Sequence, residues 1–309
     1  MLANFLSKSK PINFIVLLAF FFCFFLLAVF NTFFVDSFNI DELLKIGIFF
    51  LLFLGIFFFY NFIISKNNLT FDNSYAFFSF TLFLSFTLPS ILEYKILILI
   101  LLHLLFLRKI YSLKSIKQLI KKIFDAGFWL GICFFIEPLS IVFFVLIYAG
   151  IYLHQKITIH TIISPIIGFI TPLIIYFTYC FWFDNIEEFQ QLFYFYDVKT
   201  FLIYSENDSI WFVGFILLTT LLSLFIKSPK ALSVNNSFKK NWILLIINLI
   251  ISLLFVLIIE DKNASEIVYL LFPTSVIIAN GLEEIKSSLA KNVIFILILI
   301  GVITHQFLL

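Results

Sequence analysis

Three acidic residues stand close together between the first two long apolar stretches of the chain: Asp36, Asp41 and Glu42. Clustered carboxylates could take a proton from an acceptor hydroxyl, acting as a general base. They could also bind a divalent cation that stabilises a leaving phosphate. Acids that simply occupy an external loop would produce the same pattern. The sequence therefore offers these residues as catalytic candidates and leaves the non-catalytic alternative open.

A second acidic group consists of Asp184, Glu187 and Glu188. The aromatic residues around it are Trp182, Phe189, Phe193, Tyr194 and Tyr196. Carboxylates can bond the hydroxyl groups of a sugar, while flat rings cover its apolar faces. The pattern predicts a ligand-binding segment, although an amphipathic segment at a membrane interface would look the same.

Two single ionisable residues are further candidates for ligand binding. Glu137 stands inside the otherwise uncharged stretch 128–152. An ionisable group within a membrane is costly and commonly functional, but a turn at the membrane surface would remove that cost. Arg108 is the single arginine of the chain. It could bind a ligand, or it could simply anchor the chain at the cytoplasmic face.

Histidines and cysteines show no spacing that is typical of a metal site. They are His103, His154, His160 and His305, with Cys23, Cys133 and Cys180. We predict no metal ligands among them and expect the cysteines to be small buried hydrophobic residues. A divalent cation is expected only if the first acidic group is catalytic.

The composition excludes a soluble protein. Of the 309 residues, 62% are hydrophobic and 12% are charged, with a mean hydropathy of +1.13. Soluble domains have about 45–50% apolar and about 25% charged residues. The chain has too little polar surface to cover a water-soluble fold, and the same numbers exclude a nucleic-acid binder, a disulfide scaffold and a disordered chain. We predict an all-α polytopic membrane protein.

Uncharged runs predict about eleven membrane segments, since a spanning helix needs about 20 apolar residues. The runs are 11–35, 46–65, 73–92, 96–107, 126–136, 138–155, 157–183, 209–226, 241–259, 267–282 and 292–309. We predict that residues 1–309 form one integral membrane domain, a transmembrane helical bundle without a soluble domain.

Charge asymmetry predicts the orientation, because cytoplasmic loops are enriched in lysine and arginine. Basic loops 108–122 and 227–240 are expected in the cytoplasm, together with the N-terminus, and the acidic loop 184–208 on the outside. With the C-terminus periplasmic, this threading places 16 of the 20 basic residues inside and 14 of the 18 acidic residues outside.

Three local patterns refine this prediction. Glu137-Pro138 predicts a tight hairpin within 128–152, because proline ends helices and restricts the residue before it. Pro165 and Pro172 flank Gly168, which predicts either a broken helix lining a cavity or an ordinary proline kink. The basic stripe 109–122, with apolar Leu113, Ile116, Leu119 and Ile120, predicts an amphipathic helix on anionic lipid that could hold a lipid phosphate.

Three motifs carry a family resemblance: the opening segment 7–14 (SKSKPINF), residues 108–113 (RKIYSL) and residues 124–129 (FDAGFW). Together they resemble an uncharacterised family of multi-spanning inner-membrane proteins from Bacteroidota. The resemblance implies an evolutionary relationship to that family, but it implies no activity, because none is established for the family.

A weaker likeness links Ala126-Gly127-x-x-x-Gly131, followed by Pro138, to C-type glycosyltransferases. Those enzymes move a sugar from a polyprenyl-phosphate carrier and place a catalytic acid in the first external loop, which here holds Asp36, Asp41 and Glu42. This resemblance implies a polyprenyl-phosphate lipid as partner. Here the loop is short and a large external domain is lacking.

The sequence favours a multi-pass inner-membrane protein that takes part in cell-envelope assembly as a non-enzymatic component of a membrane complex. The expected partners are the lipid bilayer and other envelope proteins, and no nucleic acid. A C-type-like glycosyltransferase that uses a lipid-linked sugar, or a degenerate relative of one, is the first alternative. A transporter or flippase is the second.

Overall fold

The computed structural model describes residues 2–34, 40–115, 117–154, 156–193, 210–233, 236–259 and 265–308. Over these ranges the chain is helical and contains no β-strand, which confirms the all-α prediction. The α-helices are α1 (Leu2–Leu6), α2 (Pro11–Phe33), α3 (Ile40–Asn67), α4 (Tyr75–Ile91), α5 (Tyr94–Tyr111), α6 (Leu119–Ile136), α7 (Phe144–Leu153), α8 (Ile159–Trp182), α9 (Ile186–Gln191), α10 (Ile210–Ser233), α11 (Asn236–Ile258), α12 (Val268–Glu284) and α13 (Ser288–Leu308). Short 3-10 helices cover Ser112–Lys114, Pro138–Phe143 and Ser265–Ile267.

In the described part of the chain, seven helices are long and apolar enough to cross a membrane. They are Pro11–Phe33, Glu42–Asn67, Tyr94–Lys114, Ile159–Trp182, Val213–Ser233, Ser237–Ile258 and Ser288–His305. Tyr75–Ile91 and Pro138–Leu153 are shorter apolar helices. Helices of this length and composition fit a lipid bilayer, as the sequence composition predicts.

The helices form two compact units, and each is described by itself. Unit 1 comprises the described residues within 1–97, 204–235 and 262–309. Unit 2 comprises those within 98–203 and 236–261.

Unit 1 is built around α4 and α12, two largely apolar helices that are buried on nearly every side. They pack against each other, α2 and α13 pack on α4, and α10 packs on α12. Every residue from Val268 to Leu282 is buried, as is nearly all of α4. Each of the two has 17 residues, fewer than the roughly 20 that a lipid-facing span needs. Protein neighbours, not lipid, therefore surround both helices.

Unit 2 is held together by close packing of α6 on α8. Added Cβ atoms at Gly127 and Gly168 would lie closer than 3.0 Å to the carbonyl oxygens of Pro165 and Phe124. At Gly131, an added Cβ would lie 2.5 Å from the Phe169 carbonyl oxygen. Small residues four apart allow membrane helices to approach backbone to backbone. The Gly127-x-x-x-Gly131 motif, which carried the glycosyltransferase likeness, therefore has a packing role here.

One sequence prediction for unit 2 is wrong, and one of two open alternatives is excluded. Residues 109–122 do not form one amphipathic helix, because α5 ends at Tyr111 and α6 begins only at Leu119. Leu113 is buried against Gly150 of α7, and Gln118 has a left-handed backbone with φ of 53°. A helix lying flat on lipid would insert Leu113 into the membrane, whereas here this side chain is buried in the protein. The left-handed backbone at Gln118 interrupts the helix, because α-helical residues have negative φ. Ile116 lies outside the described residues.

Likewise, α8 runs without a break from Ile159 to Trp182, with both prolines inside it. The broken-helix alternative is therefore wrong. Packing on α6 stabilises the helix where each proline removes one backbone hydrogen bond.

The predicted helix break at Glu137-Pro138 is confirmed. Helix α6 ends at Ile136, Glu137 is extended with φ −140° and ψ 97°, and Pro138 starts a 3-10 helix. The Glu137 carboxylate accepts a hydrogen bond from the N–H of Leu139 at 3.3 Å. The acid thus acts as the N-cap of the following helix.

Candidate functional site

The first acidic group is only partly described. Asp36 lies outside the described residues, and so does the side chain of Asp41, although its backbone begins α3. Glu42 is half-buried in the first turn of α3, and its Oε2 has no hydrogen-bond partner among the described residues. The catalytic role of these three residues stays a prediction.

The second acidic group has a structural explanation. Glu187 and Glu188 are exposed in the first turn of α9, where acidic side chains interact favourably with the helix dipole. Asp184 precedes them with a positive φ of 55°. Their role in ligand binding stays a prediction.

The aromatic residues near these acids pack on one another. The Phe189 ring lies 5.1 Å from the Phe177 ring and 6.2 Å from the Tyr176 ring. The Phe193 ring lies 5.9 Å from the Phe134 ring. These contacts hold α9 and the following turn against α8 and α6. Tyr194 and Tyr196 lie outside the described residues.

Arg108 and Glu137 lie in different structural settings. Arg108 is half-buried in the last turn of α5, where a cation complements the helix dipole. Glu137 is half-buried and caps a helix. A ligand for either residue stays a prediction.

A groove of about 650 Å³ in unit 2 combines basic and apolar side chains. We call it the basic groove; residues 118–121 line one side and Lys156, Ile157, Thr158, His160 and Thr161 line the other. The first side is the start of α6 and the second is the start of α8. The cationic side chains in this lining are Lys121 and Lys156, with His160 beside them.

The two helix starts are fixed to each other. Ser164 Oγ on α8 donates to the Ile120 carbonyl on α6 at 3.0 Å. Thr158 and Thr161 form a capping box, in which the Thr161 N–H donates to Thr158 Oγ1 at 3.2 Å and the Thr158 N–H donates to Thr161 Oγ1 at 2.9 Å. Thr161 Oγ1 also donates to the Lys156 carbonyl at 2.6 Å. Lys156 is therefore tied to the start of α8.

The first turns of α6 and α8 both line this groove. At α8 the capping box already occupies the Thr161 N–H, whereas the first-turn N–H groups of α6 have no partner within the helix. Gln118 makes no side-chain cap for α6, which leaves the N–H groups of the first turn of α6 available to an anion. A helix N-terminus carries a partial positive charge and favours phosphate. Together with Lys121 and Lys156, the groove is electrostatically suited to a phosphate group.

Large apolar side chains on the same helix starts point outwards. The exposed fractions are 54% for Ile120, 58% for Ile157 and 74% for Ile159. Exposed isoleucines beside cationic residues are typical of a membrane interface, where the apolar side chains enter the lipid and the charges remain at the headgroups.

Two other lysines near the start of α6, Lys109 and Lys122, are held by the protein. Lys109 Nζ lies 2.6 Å from Asp125 Oδ2, and Lys122 Nζ donates to the carbonyl groups of Ser112 and Ser115. Partial burial lowers the pKa of Lys122, and the nearby Lys109 lowers it further. Lys121, by contrast, is exposed and faces the groove.

Unit 1 contains a partly buried ionic cluster that the sequence pattern did not predict, formed by Lys227, Lys230, Glu283 and Glu284. Lys227 Nζ lies 3.3 Å from Glu283 Oε2 and 3.0 Å from Glu284 Oε1. Lys230 pairs with Glu284 at the more exposed end of the cluster. Although 227–240 was predicted as a loop, α10 extends to Ser233 and carries both lysines.

The ionic cluster also holds the segment between α3 and α4. Glu283 Oε1 accepts hydrogen bonds from the Phe71 N–H and the Asn73 side-chain amide. Burial raises the pKa of Glu283, and its hydrogen bonds with Asn73 and its contact with Lys227 oppose that rise. The sequence does contain a signal for this cluster, because opposite charges stand at the ends of two segments predicted to lie on the same side of the membrane.

Comparison with known proteins identifies a family for this chain but does not identify an activity. The model of one family, described as a family of unknown function (DUF6427), matches residues 1–308. Neither a curated protein nor a solved structure matches the chain.

Proposed function

We propose that this chain, which belongs to the DUF6427 family, is a multi-pass bacterial inner-membrane protein that binds the phosphate of an anionic lipid in the basic groove. In this proposal it has no catalytic activity of its own and acts as a component of a membrane complex in cell-envelope assembly. The observation that carries the proposal is the joining of two helix N-termini with Lys121 and Lys156 in one groove.

Lipid phosphate is favoured over a soluble anion by the residues around the groove. Ile157 and Ile159 are exposed beside the cations, so an acyl chain can cover them while its phosphate meets the N–H groups and lysines. Juxtamembrane lysines and arginines attract anionic lipids by about 1 kcal/mol each. Headgroup and chain would thus be recognised together.

The proposed topology has eleven segments, with the N-terminus in the cytoplasm and the C-terminus in the periplasm. Seven of the segments overlap the helices that are long enough to span, and the other four overlap α4, the second part of α6, Pro138–Leu153 and α12 up to Leu282. In a bundle, a short segment can cross where neighbouring protein replaces lipid.

Contacts between distant charged residues support this threading. In unit 1, Lys227 contacts Glu283, and in unit 2, Lys121 and Lys156 line one groove. The positive-inside rule assigns all four residues to the cytoplasm. An odd number of crossings between the two members of either pair would have separated them across the membrane.

Lipid retention tests the proposed function. The full chain would be placed in nanodiscs that contain phosphatidylglycerol and phosphatidylcholine. It would then be released from the nanodiscs in a native mass spectrometer, and the lipids that stay bound to it would be counted. We expect preferential retention of phosphatidylglycerol by the wild type. In the Lys121→Gln/Lys156→Gln variant, this preference should fall about 30-fold, since two cations that each contribute about 1 kcal/mol are lost together.

The matched control replaces two exposed lysines outside the groove, Lys66 and Lys286, with glutamine. Both variants lose the same charge, so general attraction to anionic lipid changes equally. Equal loss of retention in the two variants would overturn the groove as a specific site.

Membership of a complex has its own test. Membranes of the source bacterium would be solubilised in mild detergent and separated by native electrophoresis. We expect the chain to migrate in an assembly much larger than its own 36.2 kDa plus detergent. Migration as a monomer under every mild extraction would contradict this part of the proposal.

A further inference from the structure

Unit 1 contains a second concave site, a cleft of about 290 Å³ that differs in chemistry from the basic groove. It lies between the end of α3, the segment that connects α3 to α4, and the start of α2. Its polar lining residues are Ser9, Asn61, Ser65, Asn68, Thr70, Asp72 and Asn73, and we call it the polar cleft.

The connecting segment on one side of the polar cleft is held in place from behind. Asn280 on the buried helix α12 donates its side-chain amide to the Leu69 carbonyl at 2.9 Å. Two residues further on, the Phe71 N–H donates to Glu283 at 2.9 Å. Asn68 has a positive φ of 50°, which turns the chain out of α3. The backbone that carries Asn68, Thr70 and Asp72 is therefore fixed by residues that do not line the cleft.

The opposite side is fixed in a similar way. Buried Asn13 donates its side-chain amide to the Lys8 carbonyl at 2.8 Å and to Ser74 Oγ at 3.1 Å. These bonds join the segment that carries Ser9 to the start of α4. A site whose backbone is already ordered loses less conformational entropy when it binds a ligand.

The side chains that face the cleft are equipped for hydroxyl groups. Asn61 and Asn68 each carry an amide that donates and accepts, Ser9 and Thr70 carry hydroxyls, and Asp72 carries a carboxylate that accepts. Among the described residues, these five side chains form no hydrogen bond with the protein. Their hydrogen-bonding capacity is therefore available to a ligand.

Aromatic rings form the apolar part of the lining. The Phe14 and Phe77 rings are in edge-to-face contact, with centroids 4.8 Å apart, and both residues line the cleft. Rings of this kind can cover the apolar C–H face of a sugar. The volume of about 290 Å³ is just below the roughly 300–1,000 Å³ that is usual for ligand pockets, so one ring fits and a nucleotide does not.

We propose that the polar cleft binds a single hydroxyl-rich ring, a hexose or a cyclitol. The lining contains one carboxylate and no cationic side chain, which favours an uncharged ligand over a phosphate. The same ring chemistry occurs in a free sugar and in the headgroup of a glycolipid, and the test below separates these two sources.

The experiment uses the full chain in nanodiscs. Free glucose and free myo-inositol would be examined by saturation-transfer NMR, and monoglucosyl diacylglycerol by lipid retention in native mass spectrometry. This glycolipid carries no phosphate, so its retention does not depend on the basic groove, and the two sites can fail separately. The test variant is Asn61→Ala/Asp72→Asn, and the matched control is Asn4→Ala/Glu93→Gln, an amide and a carboxylate on exposed residues outside the cleft.

One supporting result is saturation transfer to free glucose or free myo-inositol that falls at least tenfold in the test variant and persists in the control. The ligand would then be a soluble ring. The other supporting result is retention of the glycolipid by the wild type and the control, with the same loss in the test variant. The ligand would then be a lipid. Absence of both signals in the wild type, or equal signals in the test variant, overturns it. If the double variant does not fold, Asp72→Asn alone decides in the same way, because this exposed side chain forms no hydrogen bond with the described part of the protein.

Discussion

Lys227 Nζ lies 3.3 Å from Glu283 Oε2, although only 3% of the lysine side chain and 9% of the glutamate side chain are exposed. The pair joins α10 to the end of α12, and Glu283 in turn holds Phe71 and Asn73. Lys227 Nζ also lies 4.8 Å from the centre of the Phe71 ring. One buried lysine and its carboxylate partner therefore fix two helices and a connecting segment.

Removal of Lys227 should be strongly destabilising. Lys227→Met leaves the buried Glu283 without its cation, and loss of one partner from a buried pair costs about 3–5 kcal/mol. Lys230→Met is the matched control, since the Lys230 side chain is 63% exposed and exposed pairs contribute at most about 1 kcal/mol. Thermal unfolding of both variants in detergent checks this. Equal destabilisation of the two would contradict a special role for Lys227.

Glu283 should make stability depend on pH. Its pKa is raised, chiefly by burial, so the folded state binds more protons than the unfolded state between the ordinary glutamate pKa and the raised value. Stability in this window therefore falls as pH rises. Glu283→Gln cannot take up this proton. We expect the stability of the wild type relative to this variant to increase as the pH falls from neutral toward the ordinary glutamate pKa of 4.5.

Glu284→Gln is the control for that measurement. Its hydrogen bond with Lys230 lowers the pKa of Glu284, so its stabilising effect is lost only below the ordinary glutamate pKa. Across the same pH range, the difference in melting temperature between Glu284→Gln and wild type should stay constant. A parallel pH dependence of both variants would exclude Glu283 as the source.

The contact between α6 and α8 should not tolerate a methyl group. Gly127→Ala places its Cβ against the Pro165 carbonyl, and overpacking of this kind costs about 1–3 kcal/mol. Gly214→Ala in α10 is the control, because nothing lies within 4 Å of its added Cβ. There, alanine should be neutral or stabilise the helix by up to about 1 kcal/mol. Melting temperatures of both variants give the comparison.

Reporter fusions test the threading. A reporter fused after Lys117 should report the cytoplasm, and one fused after Phe193 should report the periplasm. A cysteine at Ile141, which is 37% exposed, should react from the periplasmic side with a thiol reagent that cannot cross membranes. If both reporters were found on the same side of the membrane, the proposed hairpin at Glu137 and the count of eleven segments would both be wrong.

The acids between the first two segments should be dispensable under the proposed non-catalytic function. The combined variant Asp36→Asn/Asp41→Asn/Glu42→Gln is expected to rescue the envelope phenotype of a deletion strain as well as the wild type does. A general base contributes about 10²–10⁴-fold to a rate, so a glycosyltransferase would lose rescue at normal expression. That loss would favour the enzyme.

Apolar runs in the sequence predicted where the helices lie, because a backbone in lipid must satisfy its own hydrogen bonds and needs about 20 apolar residues to cross. The helix break at Glu137-Pro138 was equally predictable, since proline removes a donor and restricts its predecessor. Both features depend on local chemistry.

The continuity of α8 and the break between α5 and α6 were not predictable in the same way. Pro165 and Pro172 favour a kink or a break, and packing against α6 decides between them. The basic stripe looked helical throughout, yet Leu113 is buried against Gly150. In each case a tertiary contact overrides the local preference.

Composition alone determined that this is a helical membrane protein, because apolar helices satisfy lipid whatever their order. Only the tertiary structure decided which helices are buried, since most side chains of α4 and α12 would suit lipid as well as protein. It also brought Lys227 to Glu283, and Lys121 to Lys156, from distant parts of the sequence. The physical reason is that lipid and protein interior are equally apolar, so the hydrophobic pattern of a segment does not specify its neighbours.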